Sequence, residues 1–320
     1  MFGQKFSGNH FPVDLVILWV DGSDPAFAKS RQQWATCLGC GAAEANHEAR
    51  FIQQDELRYV FRSVEQNLSW VSRVVLVTNG QVPSWLNLSH PKLRVLFHDE
   101  FMPAEVLPTF NSCAIEAALP LWEGLSEHFL LANDDMFVFR KTARKFFFPT
   151  VCQVNNYRNF SAVPLNYQAS LYRKQLWSTY LLLKKERLSL SPEEFVHYEP
   201  HHNIDAYLKS ICRKTWQTFL QPLTQTVQHR FRSPQDVSRY IFAAMSVLAG
   251  KGKWKKTYKI HHWKSSSCVF ELGQNYAAGI QRFRPHLVCL NDSESASEVD
   301  RARLRKFLAQ VFTHKSSYEQ

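Results

Sequence analysis

Three adjacent polar residues, Asn133, Asp134 and Asp135, end a strongly apolar stretch with the sequence LLANDDMFV at 130–138. Paired acids at the end of a buried strand can bind a cation, because an open α/β sheet presents its ligands at the carboxyl ends of its strands. Carboxylate oxygens at such a place suit Mg²⁺ or Mn²⁺ bound together with substrate phosphates. Turn formation is the competing interpretation, since Asn and Asp also favour strand-to-turn junctions.

A second apolar stretch also ends in acids. The segment 13–20, VDLVILWV, is followed by Asp21, Gly22, Ser23, Asp24 and Pro25. A nearly continuous apolar run is typical of a parallel strand that is buried on both faces. Turn chemistry and the capping of a following helix would explain Asp21 and Asp24 equally well. If both strands belong to one parallel sheet, however, their acidic ends meet in one crevice.

The elements around these acids alternate between strand and helix. Further strands are predicted at 72–78 and 93–97, and helices at 26–46 (running into a loop), 55–67 and 112–121. This alternation predicts an α/β fold with a Rossmann-like, mostly parallel sheet over residues 1–150. Residues 151–250 are predicted to form a helical insert or lid, with one short strand near 161–165. Residues 251–320 are predicted to close the same catalytic domain with strands at 256–262 and 283–290 and a helix at 298–312.

The composition fits a globular enzyme, because 45% of the 320 residues are hydrophobic and 14% are aromatic. The net charge of +10 predicts anionic partners, and basic residues concentrate at 140–145 and 251–259. The sequence has no nucleic-acid-binding motif, so no nucleic acid is expected as a partner. It also has no apolar run of membrane-spanning length and no secretory apolar region near residue 1, so we expect a cytoplasmic protein.

The seven cysteines are odd in number and scattered, which predicts reduced thiols rather than a disulfide framework. Cys37 and Cys40 form a CLGC motif. Without a second such pair or a nearby pair of histidines, this motif indicates a loop more than a zinc site.

Four ordered blocks carry a resemblance to a known family. They read LVILWVDGSDP at 15–25, RFIQQDELRYVFRSVEQN through LPTFNS and NDDMF at 50–137, HHNID at 201–205 with RFRSPQD at 230–236, and VCLNDS at 288–293. In this order they resemble the Stealth family of sugar-phosphate transferases, over about residues 13–295. That family includes bacterial capsular polysaccharide phosphotransferases and the catalytic core of the animal N-acetylglucosamine-1-phosphotransferase.

The resemblance implies transfer of a hexose 1-phosphate, expected to be an N-acetylhexosamine 1-phosphate, from a nucleotide diphosphate sugar to an acceptor hydroxyl. A UDP-sugar donor, a saccharide acceptor, Mg²⁺ (or Mn²⁺) and release of a nucleoside monophosphate are implied with it. The inner membrane face and the capsule export machinery are further candidate partners. A metal-dependent glycosyltransferase that releases a nucleoside diphosphate is the main alternative, and a non-catalytic binding protein is a second.

The same resemblance assigns roles to particular residues. Asp134 and Asp135 would bind the metal, with Asp292 completing the coordination or positioning the donor. His202 is the candidate general base because imidazole titrates near neutrality, and His201 is the alternative. Arg232 could pair with a phosphate and stabilise the transition state.

The remaining candidates would bind the substrate. They are Asp21, Gly22, Asp24, Arg50, Asp55, Arg58, Asn79, Thr109, Asn111 and Ser112. Several have an equally natural structural role. Asp55 and Arg58 are three apart and could form a salt bridge along a helix, Asn111 or Ser112 could cap one, and turn chemistry would explain Asn79.

Overall fold

A five-stranded sheet forms the centre of the computed structural model, which describes residues 11–39, 51–186, 196–257, 266–292 and 295–320. Its strand order is β3-β2-β1-β4-β8. These strands span Val13–Leu18 (β1), Arg73–Thr78 (β2), Leu93–Phe97 (β3), His128–Asn133 (β4) and Asp205–Leu208 (β8). Strands β3, β2, β1 and β4 are parallel, and β8 is antiparallel to β4. The predicted α/β fold with a mostly parallel sheet is therefore confirmed.

Two smaller three-stranded sheets flank the first. One has the order β10-β11-β5 and the other β7-β6-β9. Their strands are Met136–Val138 (β5), Val154–Phe160 (β6), Tyr198–Pro200 (β7), Gly252–Thr257 (β9), Ser267–Glu271 (β10) and Leu287–Asn291 (β11). In the first of these sheets β5 runs antiparallel to β11. The apolar stretch 130–138 is thus two strands of two sheets, joined by a turn at Asp134 and Asp135.

Helices pack on both faces of the central sheet. They are Pro25–Cys37 (α1), Glu56–Asn67 (α2), Ser112–Ala118 (α3), Leu171–Lys185 (α4), Lys209–Thr218 (α5), Leu220–Gln228 (α6), Tyr240–Leu248 (α7), Tyr276–Phe283 (α8) and Glu298–Val311 (α9). Alternate residues of β1 supply the two large cores: Leu15 and Ile17 pack with α2 and α9, and Val16 and Leu18 pack with α3 and α7. None of the helices within the described ranges has the length and apolar character needed to cross a membrane.

The expectation of a helical region at 151–250 is correct for α4 to α7 and wrong for the strands among them. Strands β6, β7 and β8 lie in this region, and β8 completes the central sheet. The predicted strand at 161–165 is also wrong, because β6 ends at Phe160. The strand predicted at 283–290 begins only at Leu287, after α8. Residues 258–262 of another predicted strand lie outside the described residues, while 252–257 form β9.

Candidate active site

A cavity of about 630 Å³ opens at the carboxyl ends of the parallel strands. Trp19 and Val20 after β1, Val77 of β2 and Asn133 of β4 contribute to its wall. In a doubly wound sheet, ligands bind at this edge, next to the position where the strand order reverses. Here the chain passes from β1 outward to β2 and β3 and then returns to the other side of β1 as β4.

Carboxylates form one wall of the cavity. Asp134 and Asp135 come from the turn between β4 and β5, and Glu56 comes from the first residue of α2. Gln53 donates a 2.9 Å hydrogen bond from Nε2 to Asp134 Oδ2, and the Trp19 indole donates to Gln53 Oε1 at 3.1 Å. The segment before α2 therefore holds Asp134 in place from the side of β1.

The electrostatics of this wall favour a bound cation. Burial raises the pKa of Asp134 to about 7, and repulsion from Asp135 adds to the shift. Burial, assisted by repulsion from Asp134 and Asp135, raises the pKa of Glu56 to about 8. Burial likewise raises the pKa of Asp135. Ionising all three buried carboxyl groups costs free energy, because each is desolvated and lies near another negative charge. A divalent cation bound beside them would remove this cost.

Asp135 has one buried carboxylate oxygen without a described hydrogen-bond partner. Its Oδ2 accepts a hydrogen bond from the Cys289 thiol at 3.2 Å, but its buried Oδ1 has no hydrogen-bond partner among the described residues. Unpaired buried acceptors are rare, because they lose solvation without compensation. Oxygen donors of this kind fit Mg²⁺ or Mn²⁺. Asp292 also borders the cavity, but both its oxygens accept from Arg301, at 2.7 and 3.1 Å, so Arg301 competes with any cation for this carboxylate.

The structure distinguishes the two adjacent histidines. The imidazole of His201 is buried, with Nδ1 2.9 Å from Ser267 Oγ and Nε2 3.0 Å from Asp205 Oδ1, so both its nitrogens are engaged inside the fold. His202 lines the cavity instead. Its φ of 50° is unusual for a residue other than glycine and turns the chain so that the two side chains separate. Burial, with nearby Arg239 and Arg232, lowers the pKa of His202 to about 3. The imidazole is therefore neutral near pH 7, but it does not titrate near neutrality, contrary to the expectation from its residue type.

Arg232 reaches the cavity from the loop between α6 and α7. Its guanidinium donates to Ser112 Oγ at 2.5 Å, and both side chains line the cavity. Asp236 fixes this loop through Oδ2, which accepts from the Ser233 amide at 2.8 Å and from Asn111 Nδ2 at 2.9 Å. Asn111 is fully buried, its Oδ1 also caps α3, and it does not border the described cavity, so its polar atoms are engaged within the fold.

Residues after β1 and β2 have mostly structural contacts. Asp21 accepts from the amide and hydroxyl of Ser23, and Asp24 caps α1 through the Phe27 amide at 2.8 Å. A Cβ atom at Gly22 would lie 2.0 Å from the Phe51 carbonyl oxygen, so glycine lets the two segments pass closely. Asn79 accepts from the Thr78 hydroxyl at 3.3 Å. None of Asp21, Gly22, Asp24 and Asn79 borders the described cavity.

The other substrate-binding candidates divide into three cases. Asp55 and Arg58 form a 2.8 Å ion pair at the start of α2, as their spacing allowed, and lie off the described cavity wall. Thr109 lines the cavity, and its hydroxyl accepts from the Asn111 amide at 3.3 Å. Arg50 lies outside the described residues, as does Cys40 of the CLGC motif.

Sequence reasoning missed a buried charged group behind His202. Arg239 forms ion pairs with Glu116 at 3.4 Å and Asp205 at 3.2 Å and lines a smaller cavity of about 60 Å³ that shares His202 and Arg232 with the first. Burial would lower the pKa of Arg239, but Glu116 and Asp205 more than offset this and raise it. Glu56 and Cys289 received no role either, because a glutamate on a helix and a cysteine on an apolar strand look ordinary.

Comparison with known proteins matches two segments of the chain to one family. Residues 11–36 match Stealth protein CR1, conserved region 1, and residues 50–155 match Stealth protein CR2, conserved region 2. An exopolysaccharide phosphotransferase of Streptomyces coelicolor is 39% identical over 71% of this chain and 38% of its own length. A capsular polysaccharide phosphotransferase of Haemophilus influenzae is 27% identical over 89% of this chain and 79% of its own length. Among solved structures, an inositol-1-phosphate CTP transferase from T. maritima aligns over 97% of this chain and 100% of its own with 10% identity and a TM-score of 0.45.

The chain spans between 38% and 79% of the length of the first four curated relatives. The two matched regions include β1, the start of α2 and the acidic turn between β4 and β5. They therefore include the carboxylate wall of the cavity and the strand ends around it. On the basis of these two conserved regions and the named relatives, the chain belongs to the Stealth protein family.

Proposed function

We propose that the protein transfers a sugar 1-phosphate from a nucleotide diphosphate sugar to a hydroxyl of a saccharide acceptor, in capsular or exopolysaccharide synthesis. One observation carries the proposal: a carboxylate wall and a neutral imidazole meet within one cavity, where Asp135, His202 and Cys289 have ligand atoms within 4.8 Å of one another. Phosphoryl transfer needs a place for a cation and a group that accepts the proton of the attacking hydroxyl, close together. The similarity to an exopolysaccharide phosphotransferase and a capsular polysaccharide phosphotransferase supports the same reaction class.

The proposed cation is Mg²⁺ or Mn²⁺, held by Asp134 and Asp135 with Glu56 beside them. Bound there, it would neutralise the negative charge on the diphosphate. The donor set fits, because the buried Oδ1 of Asp135 has no other described partner and carboxylate oxygens are what these cations prefer.

Two further side chains that line the cavity act on the acceptor and the donor. The neutral imidazole of His202 takes the proton of the acceptor hydroxyl. At the same time, the hydroxyl oxygen forms a bond to the sugar-proximal phosphorus. The bond from that phosphorus to the bridging oxygen breaks, and the nucleoside monophosphate leaves with the bonding electrons. Arg232, held by Ser112, balances the charge on the transferring phosphoryl oxygens. The product is a phosphodiester between sugar and acceptor.

The number of phosphates on the released nucleotide tests the proposal. Purified protein is incubated with Mg²⁺, a panel of UDP- and GDP-sugars and short capsule-type oligosaccharides, and the nucleotides are separated by chromatography. Acceptor-dependent monophosphate is the expected result, with a UDP-N-acetylhexosamine as the preferred donor. Acceptor-dependent diphosphate would instead mean attack on the sugar carbon and a glycosyltransferase. Tight donor binding without turnover would identify a binding protein.

A further inference from the structure

The thiol of Cys289 lies close to the Asp135 and His202 side chains of the candidate active site. Cys289 lies on β11, Asp135 on the turn after β4, and His202 in the loop between β7 and β8, so three separate segments bring a sulfur, an oxygen and a nitrogen together. One such atom from each residue lies within 4.8 Å of the other two. Cys289 is fully buried, and its Sγ is 3.2 Å from Asp135 Oδ2.

This mixture of donors differs from what Mg²⁺ selects. Mg²⁺ takes oxygen ligands in near-octahedral geometry, whereas zinc combines cysteine, histidine and carboxylate ligands in a tetrahedron. With metal–ligand bonds of about 2.0–2.3 Å, neighbouring ligands of a tetrahedral zinc site lie about 3.3–3.8 Å apart. The distance between Cys289 and Asp135 is already close to that range, and the remaining separations need side-chain movements of about 1 Å. The buried Oδ1 of Asp135 has no hydrogen-bond partner among the described residues, so it is available to bind a metal at this place too.

We propose that Asp135, His202 and Cys289 form a second cation site, selective for thiophilic divalent ions such as Zn²⁺, and that its occupancy blocks the reaction. When the sulfur–metal bond forms, the thiol releases its proton to solvent. Zn²⁺ at this place would use Asp135, which Mg²⁺ also needs, and the nitrogen lone pair of His202 that would accept the acceptor's proton. The inhibitory part rests on the proposed function, whereas the binding part does not.

Cobalt spectroscopy tests the binding without any assay of activity. Co²⁺ substitutes for Zn²⁺, and a cysteine ligand produces a thiolate-to-cobalt charge-transfer band. We expect this band when Co²⁺ is titrated into the metal-free protein, its loss in Cys289→Ser, and its displacement by Zn²⁺. Cys268→Ser is the matched control, because Cys268 is also buried and lies on the neighbouring strand β10. It should keep the band. Absence of the band in the unmodified protein would overturn the proposal.

A band that persists in Cys289→Ser would also overturn it. Loss of that band in Cys37→Ser would then locate the cobalt at the CLGC motif. Where nucleotide release is measurable, the Zn²⁺ concentration that half-inhibits the Mg²⁺-supported reaction should rise about tenfold or more in Cys289→Ser, relative to that variant's own uninhibited rate. Equal sensitivity in the two proteins would remove the inhibitory role. If no nucleotide is released under any condition, the proposed function fails while the cobalt titration still decides the site.

Discussion

At the scale of single residues, the cavity is lined by buried carboxyl groups whose ionisation lowers the stability of the fold. Burial and repulsion from Asp135 raise the pKa of Asp134 to about 7, and a hydrogen bond from Gln53 holds this carboxylate in the cavity wall. A carboxyl whose pKa is higher in the folded than in the unfolded state stabilises the fold less as the pH rises from the ordinary aspartate range through the folded value. The metal-free protein should therefore be less stable at pH 8 than at pH 6, and Asp134 should account for part of the difference.

The variant Asp134→Asn separates the role of this carboxylate in metal binding and turnover from its effect on stability. The amide can still accept the hydrogen bond from Gln53 but cannot become negative. At pH 8 in EDTA we expect its free energy of unfolding to exceed that of the unmodified protein by about 1–3 kcal/mol. Metal-dependent donor binding should fall by at least about 100-fold, and turnover should be lost. Urea denaturation and calorimetric titration measure the two effects. A variant that turns over normally would remove Asp134 from the metal site.

The two adjacent histidines should respond to substitution in opposite ways. Because His202 faces the cavity as a neutral base, His202→Ala should reduce the turnover rate by about 100-fold or more with little change in stability. His201→Ala should instead lower the free energy of unfolding by about 1–3 kcal/mol, since Ser267 and Asp205 lose a partner inside the fold. Steady-state rates and denaturation midpoints distinguish the two. If His201→Ala loses turnover while remaining stable, the role of the base passes to His201.

At the scale of elements, the loop between α6 and α7 controls where Arg232 lies. Asp236→Ala would release this loop, since Ser233 and Asn111 both donate to the Asp236 carboxylate. We expect a loss of stability of about 2–4 kcal/mol and a fall in turnover of about tenfold or more. Metal binding measured without the nucleotide-sugar donor should stay unchanged, because the carboxylate wall lies on other elements. Arg232→Ala in the same background should add little further loss of turnover.

Asp300→Ala supplies the control for a general loss of stability. Asp300 accepts from the Ser297 amide at 3.0 Å in the capping box of α9, away from the cavity lining. Its replacement should cost about 1 kcal/mol without changing turnover at temperatures where the protein stays folded. Full turnover in Asp236→Ala would show that the loop places Arg232 without help from Asp236.

The elements also show how far the sequence predicts the structure. Strands β1 to β4 were predictable because each is a short apolar run followed by turn residues, and their parallel order brought their carboxyl ends to one edge of the sheet. Among the described aspartates that follow β1 and β4, only Asp134 and Asp135 border the cavity, so the expected meeting of the two acidic strand ends does not occur there. β6 and β7 carry a different signal. VNNYRNF contains three asparagines, which disfavour strands in isolation, and YEP has only three residues, so pairing with distant strands determines their state. Cys289 and Glu56 were overlooked because their chemistry depends on neighbours from other segments.

At the scale of the whole molecule, hydrogen bonds and an ion pair connect helix α2 to the last residues of the described chain. Arg62 on α2 donates to both oxygens of Glu319, at 2.8 and 2.7 Å, and to the Phe312 carbonyl at 2.8 Å. Burial would raise the pKa of Glu319, but hydrogen bonds from Arg62 and Ser316 more than offset this and lower it. The stability from this pair is therefore present at neutral pH and lost as the pH falls below the ordinary glutamate range. Because α2 begins with Glu56, the same contact fixes the helix that carries one of the cavity carboxylates.

Replacement of Arg62 by methionine tests whether this distant contact supports the site. The buried Glu319 would lose its partner, so we expect the free energy of unfolding at pH 7 to fall by about 2–4 kcal/mol, with a smaller difference at pH 3. Arg303→Met removes an exposed pair with Asp300 and should change stability by less than about 1 kcal/mol. If the contact also positions α2, Mg²⁺ affinity should fall in Arg62→Met and not in Arg303→Met, under conditions where both remain folded. Equal Mg²⁺ affinity in the two variants would confine Arg62 to stability, and the position of Glu56 would then depend on the packing of α2 against the hydrophobic core.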